Sequence, residues 1–325
     1  MYLAIKKTNK TMQQYKLIIL LSAIVDFLFS TTTFISMPLA DMVDGKLFLI
    51  NSGYFAHAQQ PLSIIVFSCW LYTLYLLLVN AAMIFFYRYN VLCKQKSLSL
   101  WRFGKTYAAI SAYVVIQCVL CYFTAEDSSG NRFQQIIAQN LLFAEDTPTV
   151  NVYDATKLVP VLHLLHGNFI CSCLYGTIIF TGYKVHKTLA FSRRFMSRNT
   201  INVQNQLTKI MVLQAVYPLI SLVTPILLYC TGPLFHVTLP FVGLFLSVTV
   251  SLIPIVNSLT TCVIIPSFRR SILTAILGQN YGSKVSQSGS LTVQGLAYNL
   301  RPDRPPIDPF SIARQGTQTN ENEML

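Results

Sequence analysis

Long apolar stretches separated by short polar connections dominate the pattern along this chain. A helix needs around 20 mostly apolar residues to cross a bilayer core of about 30 Å. Six stretches meet this requirement: 17–40, 61–87, 106–125, 158–183, 207–230 and 237–265. The pattern therefore predicts an all-α fold, a multi-pass transmembrane helical bundle of six spans over residues 17–265.

The composition excludes the common soluble classes. Of the 325 residues, 53% are hydrophobic and only 11% are charged, and the mean hydropathy is +0.50. A soluble domain carries about 25% charged residues because its surface must be hydrated. An ordinary cytosolic enzyme, a disulfide-rich secreted module and a disordered chain are therefore excluded.

The basic residues define an orientation. Of the 24 Lys and Arg residues, all but three lie in the N-terminal arm, in alternating connections or in the tail, and the exceptions are Lys46, Arg132 and Lys157. Cytoplasmic loops of membrane proteins are enriched in Lys and Arg. Both termini are therefore predicted to be cytoplasmic, and the net charge of +12 is explained without a nucleic-acid partner.

The segments flanking the bundle have their own patterns. Residues 1–16 form a basic arm that is predicted to be cytoplasmic. Residues 266–277 have apolar positions at helical spacing, with Arg269 and Arg270 on the other side, which predicts an amphipathic helix on the inner membrane face. Residues 278–325 are rich in Gly, Ser, Gln, Asn and Pro, which predicts a disordered cytoplasmic tail.

Four polar side chains fall in one layer of the predicted bundle. At 1.5 Å per residue, Asp26 lies about 14 Å from the inner end of its span, Asn257 about 12 Å, and Asn80 and Gln214 about 10 Å. Two interpretations remain open. The four residues form inter-helix hydrogen bonds of roughly 0.6 kcal/mol each, or they form a hydrated polar switch, since intramembrane ionisable groups are usually functional.

Other polar and special residues in the spans give weaker signals. Pro218 and Pro254 lie inside predicted helices, where kinks are expected. His163 and His166 share a helix face because they are three residues apart, but a metal site needs three or four ligands. The sequence contains no phosphate-binding Gly loop, HExxH or GxSxG motif, so we expect no enzyme activity, no cofactor and no metal.

Several short motifs together resemble a known family. They are Phe-Tyr-Arg-Tyr at 86–89, Met-Ser-Arg-Asn-Thr at 196–200, Gln-Leu-Thr-Lys at 206–209, Gln-Ala-Val-Tyr-Pro at 214–218, and Pro-Ile-Val-Asn-Ser at 254–258 followed by Pro-Ser-Phe-Arg at 266–269. This combination resembles nematode serpentine chemoreceptors. It is most similar to the Srd class, with the Srh and Str classes as near competitors.

The resemblance implies a seven-helix, G-protein-coupled sensor of a small environmental molecule in the plasma membrane of sensory neurons. It implies a heterotrimeric G protein, a small-molecule ligand and membrane lipid as partners, with Arg88 facing the G protein. The six spans correspond to the second to seventh helices of the family, so we expect a truncated receptor or an incomplete coding sequence. The alternative is a six-span transporter or channel subunit, although no internal repeat is found.

Depth along the predicted helices also suggests a ligand cavity in the outer half of such a receptor. We expect it between spans two, four, five and six. Its candidate lining residues are Tyr72, Tyr75, His163, His166 and Tyr229.

Overall fold

A computed structural model describes residues 16–43, 46–94, 99–127, 148–192, 198–223, 231 and 242–277 of the chain. The helices are α1 (Lys16–Ser36), α2 (Leu62–Leu92), α3 (Leu100–Thr124), α4 (Leu158–Ser192), α5 (Arg198–Pro218, continued by a π-helix over Leu219–Val223), α6 (Val242–Ser251), α7 (Ile253–Ile264) and α8 (Pro266–Leu277). The strands are β1 (Pro38–Val43), β2 (Lys46–Asn51), β3 (Glu126–Asp127) and β4 (Val150–Asp154).

Five of the six predicted spans are confirmed as long apolar helices. Within the described ranges, α1, α2, α3, α4 and the combined segment α6–α7 are long and apolar enough to cross a membrane. The predicted span 207–230 corresponds to α5 and its π-helical continuation, and its last seven residues lie outside the described ranges. The sixth crossing therefore stays a prediction.

Helix α2 is the centre of the bundle. It packs against α1, α3, α4 and α5, and every residue from Thr73 to Asn80 is buried. A helix that is apolar on all sides is suited to a position surrounded by other helices. The outer helices bury one side and expose large apolar residues on the other, such as Phe27, Phe123 and Phe169. This arrangement suits a bundle surrounded by lipid.

A four-stranded antiparallel sheet covers one end of the bundle, which we call the sheet end. The strand order is β1-β2-β4-β3, and every described side chain of β4 is buried. The sequence interpretation omitted this sheet and extended the first span to Ala40, whereas α1 ends at Ser36 and Ala40 lies in β1. The missed signal was Asp44-Gly45 between two apolar runs, which is typical of a two-residue hairpin.

Backbone contacts join the end of α1 to the segment after β2. Met37 has a φ of 40° and turns the chain out of the helix. The N–H groups of Ser52, Gly53 and Tyr54 then donate to the carbonyls of Met37, Ser36 and Ile35 at 3.1–3.2 Å. These bonds satisfy carbonyls that a helix end otherwise leaves without partners. A Cβ on Gly53 would collide with the Ile35 carbonyl oxygen, so this junction requires glycine.

Side-chain hydrogen bonds fasten the sheet to the start of α2. Asn51 Nδ2 donates to Ser63 O at 2.8 Å and Asn151 Nδ2 donates to Ser63 Oγ at 3.2 Å. Gln60 Nε2 donates to Asn151 Oδ1 at 2.5 Å. The cysteines in the described part of the chain are free thiols. The link between sheet and bundle in this region is therefore an amide and hydroxyl network.

The two predicted kinks coincide with interruptions of regular helix. Pro218 is the last α-helical residue of α5, and the π-helix begins directly after it. Pro254 is the second residue of α7, just after the break at Leu252 that separates α6 from α7.

Compact packing divides the chain after Arg269. Helix α8 matches the bounds of the predicted amphipathic segment, and residues 1–15 and 278–325 lie outside the described ranges.

Candidate functional site

The layer of polar residues connects α1, α2, α5 and α7. Asn257 Nδ2 donates to Asp26 Oδ1 at 3.0 Å, which joins α7 to α1. Gln214 Nε2 donates to Thr261 Oγ1 at 3.1 Å, which joins α5 to α7. Asn80 Nδ2 donates to Ser22 Oγ at 3.1 Å, one turn from Asp26 along α1. The structure thus brings Asp26 and Asn257 into direct contact, with Gln214 and Asn80 bonded to neighbouring turns.

Arg88 lies towards the end of α2 that is farther from the sheet. Although it is a charged residue, its side chain is only 1% exposed. Its Nη2 donates to Gln204 Oε1 at 2.8 Å and to Thr208 Oγ1 at 3.2 Å, and its Nη1 lies 2.9 Å from Met211 Sδ. All three partners belong to α5. A buried cation must be solvated by the protein, so Arg88 ties α2 to α5.

A cavity of about 290 Å³ extends from the polar layer to Arg88, and we call it the arginine cavity. Its polar lining comes from Ser22, Asp26, Arg88, Gln214, Asn257, Ser258 and Thr261. Apolar side chains of α1 and α5, together with Ile84, Ile265 and Phe268, complete most of its walls. A space of this size with several polar partners suits a group of ordered water molecules. The Asp26–Asn257 contact and the Arg88 contact therefore lie on the wall of one cavity.

A second cavity of about 130 Å³ lies under the sheet, and we call it the sheet cavity. Residues from β1, β2 and β4 cover it, and α2, α3, α4 and α6 form its walls. Most of the lining is apolar, including Phe67, Trp70 and Leu74. Ligand pockets combine mainly apolar walls with a few polar groups that orient the ligand, and the sheet cavity has this character.

Several polar side chains of the sheet cavity belong to a network between α3 and α4. His163 Nε2 contacts Gln117 O at 3.1 Å, and Gln117 Nε2 donates to His163 O at 3.2 Å. Gln117 Oε1 contacts His166 Nδ1, and His166 Nε2 contacts Tyr113 Oη at 2.6 Å. Tyr153 of β4 stacks on His163 with ring centroids 5.8 Å apart. These contacts hold Gln117, His163 and Tyr153 in fixed positions at the cavity wall.

Charged residues occur at the rim of the sheet and not in the sheet cavity lining. Lys157 Nζ lies 2.5 Å from Glu126 Oε1, and this hydrogen bond raises the pKa of Lys157. Burial alone would raise the pKa of Asp154, but hydrogen bonds from Thr156 and the charges of Lys46 and Lys157 bring it below its usual value. At neutral pH the rim is therefore ionised while the cavity walls stay largely apolar.

The residues suggested for a ligand cavity have different positions in the structure. Tyr75 and His163 line the sheet cavity. Tyr72 lines a groove between α1, α2 and α3. His166 is bonded to Gln117 and Tyr113 and does not line the sheet cavity. Tyr229 lies outside the described residues.

The sequence interpretation also missed residues of this cavity. Gln117 was detectable as a polar residue inside a predicted span, whereas Tyr153, Gly167 and Ser247 gave no signal because long-range folding brings them to the cavity.

Comparisons with known proteins identify the architecture and the family. The family model described as serpentine type 7TM GPCR chemoreceptor Str matches residues 1–273. The Caenorhabditis elegans protein "Serpentine receptor class r-10" is 23% identical over 318 residues, covering 90% of each chain. "G-protein coupled receptor str-33" from the same organism is 22% identical over 306 residues, covering 87% of each chain.

Among solved structures, squid rhodopsin superposes with a TM-score of 0.55 at 15% identity, covering 88% of this chain and 83% of rhodopsin. This likeness shows the receptor fold. The resemblance to nematode serpentine chemoreceptors is confirmed; the motifs favoured the Srd class, whereas the family model that matches is Str, one of the two near competitors. The match to the Str model covers well over half of the chain, and the chain therefore belongs to the Str family of serpentine seven-transmembrane chemoreceptors.

Proposed function

We propose that this chemosensory, GPCR-like membrane protein binds a small, mainly apolar environmental molecule in the sheet cavity. One observation carries the proposal: a largely apolar space lies between the sheet and four helices, with a few polar groups in its lining. Its volume of about 130 Å³ is close to that of an engineered cavity of roughly 150 Å³ in another protein, which binds benzene. The expected ligand is therefore of that size.

The distribution of basic residues supports an orientation for this site. Lys and Arg collect on the side of the bundle away from the sheet, which favours a cytoplasmic position for both termini and an extracellular position for the sheet. A sensor of external molecules needs its ligand site on that side. We infer a plasma membrane location, in sensory neurons by analogy with the family, and membrane lipid around the exposed apolar helix faces.

The opposite end of the bundle is the proposed site of coupling to a heterotrimeric G protein. Arg88 holds α5 against α2, so separation of these helices would open the arginine cavity toward the cytoplasm. The Asp26–Asn257 and Gln214–Thr261 contacts link α1, α5 and α7 above it. We infer that this layer is a polar switch, which changes its hydrogen bonds when the helices move.

Catalysis and transport are the competing functions. The family match and the rhodopsin-like fold favour neither catalysis nor transport. We infer that the chain is not an enzyme. The expected output of ligand binding is a G-protein signal and not movement of the ligand across the membrane.

A matched pair of substitutions in α4 tests the ligand site. Leu164 lines the sheet cavity, whereas the next residue, Leu165, is 48% exposed and does not line it. We expect Leu164→Trp to fill the cavity and abolish the response to any activating compound, and Leu165→Trp to leave the response intact. Both variants and the wild type are compared in cells that carry a second-messenger reporter, at equal surface expression, with a panel of small apolar compounds.

Two results would contradict the proposal. Equal responses from the two Trp variants would show that the ligand binds elsewhere. Uptake of a labelled compound into receptor-containing vesicles, without a second-messenger change, would favour the transporter alternative.

A further inference from the structure

In the part of the sheet cavity away from the sheet, three residues from three helices come together. Tyr75 of α2, Gln117 of α3 and Gly167 of α4 all line it. Gly167 lies nine residues into α4, about 14 Å from the sheet end of that helix at 1.5 Å per residue. These residues therefore form the floor of the cavity, opposite the sheet.

The floor depends on the absence of a side chain at position 167. A Cβ built on Gly167 would lie 2.7 Å from Tyr75 Oη and 3.1 Å from Gln117 Nε2. Gln117 cannot move away easily, because its side chain is only 2% exposed and is bonded to His163 and His166. An added methyl group would therefore displace the Tyr75 hydroxyl and take up space at the floor.

The floor also carries polar groups. A tyrosine hydroxyl can donate and accept, and a glutamine amide nitrogen carries two hydrogens. The walls between the floor and the sheet are formed mainly by Phe67, Trp70, Leu71 and Leu74. The matching ligand is a short apolar chain or small ring with one polar group at its inner end.

We propose that Gly167, together with the Tyr75 hydroxyl, determines the length of the ligand that the sheet cavity accepts. This proposal rests on the proposed function, since it concerns the same cavity. Each buried methylene group strengthens binding about fourfold. Affinity for a homologous series should therefore rise by this factor per carbon until the chain spans the cavity, and then fall.

Straight-chain primary alcohols from 1-propanol to 1-octanol provide the probe series. Binding is measured as thermal stabilisation of the full-length receptor in lipid nanodiscs, because a ligand that binds the folded state stabilises it by an amount that grows with the logarithm of the ratio of ligand concentration to Kd. The Leu164→Trp variant, whose cavity is filled, supplies the background from alcohols dissolved in lipid. Gly176→Ala is the matched control, because Gly176 lies on the same helix and a Cβ there meets nothing within 4 Å.

We expect Gly167→Ala to shift the best-bound alcohol by about one carbon toward shorter chains, with about fourfold weaker binding of the wild-type optimum. Gly176→Ala should keep the wild-type profile. Tyr75→Phe tests the same floor without adding volume, and it should shift the optimum toward longer chains because the hydroxyl oxygen is removed.

Unchanged chain-length profiles in both Gly167→Ala and Tyr75→Phe would overturn this inference while leaving the proposed ligand site intact. A different result, in which no alcohol stabilises the wild type beyond the Leu164→Trp background, would contradict the proposed ligand site itself and this inference with it.

Discussion

The contact between Arg88 and α5 leads to a prediction about the basal activity of the receptor, its signalling without ligand. Gln204 Oε1 accepts the hydrogen bond at 2.8 Å from Arg88 Nη2, and Gln204→Leu removes this acceptor while keeping a side chain of similar size. If α2 and α5 separate when the receptor becomes active, the lost bond destabilises the inactive arrangement alone. We therefore expect Gln204→Leu to raise the basal activity.

The size of the effect follows from the kind of bond. A hydrogen bond to a charged group contributes about 1.5–3 kcal/mol. Arg88 keeps Thr208 and Met211 as partners, so the lower value applies, which corresponds to about a tenfold shift in the equilibrium. A receptor with an active fraction of ~1% would then reach ~10% without ligand. Gln204→Glu should have the opposite effect, since a carboxylate binds the guanidinium more strongly.

The assay is basal nucleotide exchange on a G protein, or a second-messenger reporter, with each variant normalised to its surface expression. Gln206→Leu is the matched control, because Gln206 lies on the same helix and is not a partner of Arg88 within the described residues. The reasoning is refuted if Gln204→Leu leaves the basal signal unchanged at normal expression, or if Gln206→Leu raises it equally.

Two further predictions concern the sheet end. Gly53→Ala should lower the free energy of unfolding by about 1–3 kcal/mol, because its Cβ meets the Ile35 carbonyl. Gly104 lies in open space on α3, so Gly104→Ala should be neutral or should stabilise the protein by up to about 1 kcal/mol. Equal melting temperatures for the two variants would contradict this prediction. The lowered pKa of Asp154 means that its contribution to stability is complete at neutral pH and is lost as the pH falls through about 4 and below. Asp154→Asn should therefore flatten the acid side of the stability profile, and a wild-type profile in this variant would show that the contacts of Asp154 do not stabilise the fold.

The helices were predictable because the bilayer imposes a simple requirement on the sequence. About 20 apolar residues are needed for each crossing, so α2 and α4 were located with their starts within one residue of the structure. The sheet was missed for a physical reason. Strands β2 and β4 are short, and their register depends on pairing between residues such as Phe48 and Val152, which are far apart in the chain.

Part of the candidate site was also predictable. Polar residues such as Asp26 and Asn257 stand out inside apolar spans because their burial without partners is unfavourable, and the structure joins these two directly. Tyr72 and Tyr75 are only three residues apart and gave similar sequence signals, but one lines a groove between α1, α2 and α3 and the other lines the sheet cavity. Depth along a helix is available from the sequence, whereas the direction of a side chain depends on the neighbouring helices.

The sequence by itself determined that this protein crosses a membrane. It also determined on which side of the membrane the basic connections are expected, and which intramembrane residues need polar partners. Each of these properties follows from the transfer of individual side chains between water and lipid, which depends on local composition. Only the tertiary structure decided that a sheet covers a cavity, that Arg88 binds α5, and that Gly167 faces Tyr75. The last two contacts join residues about 90 or more positions apart, and they form only when packing has fixed the rotation of each helix.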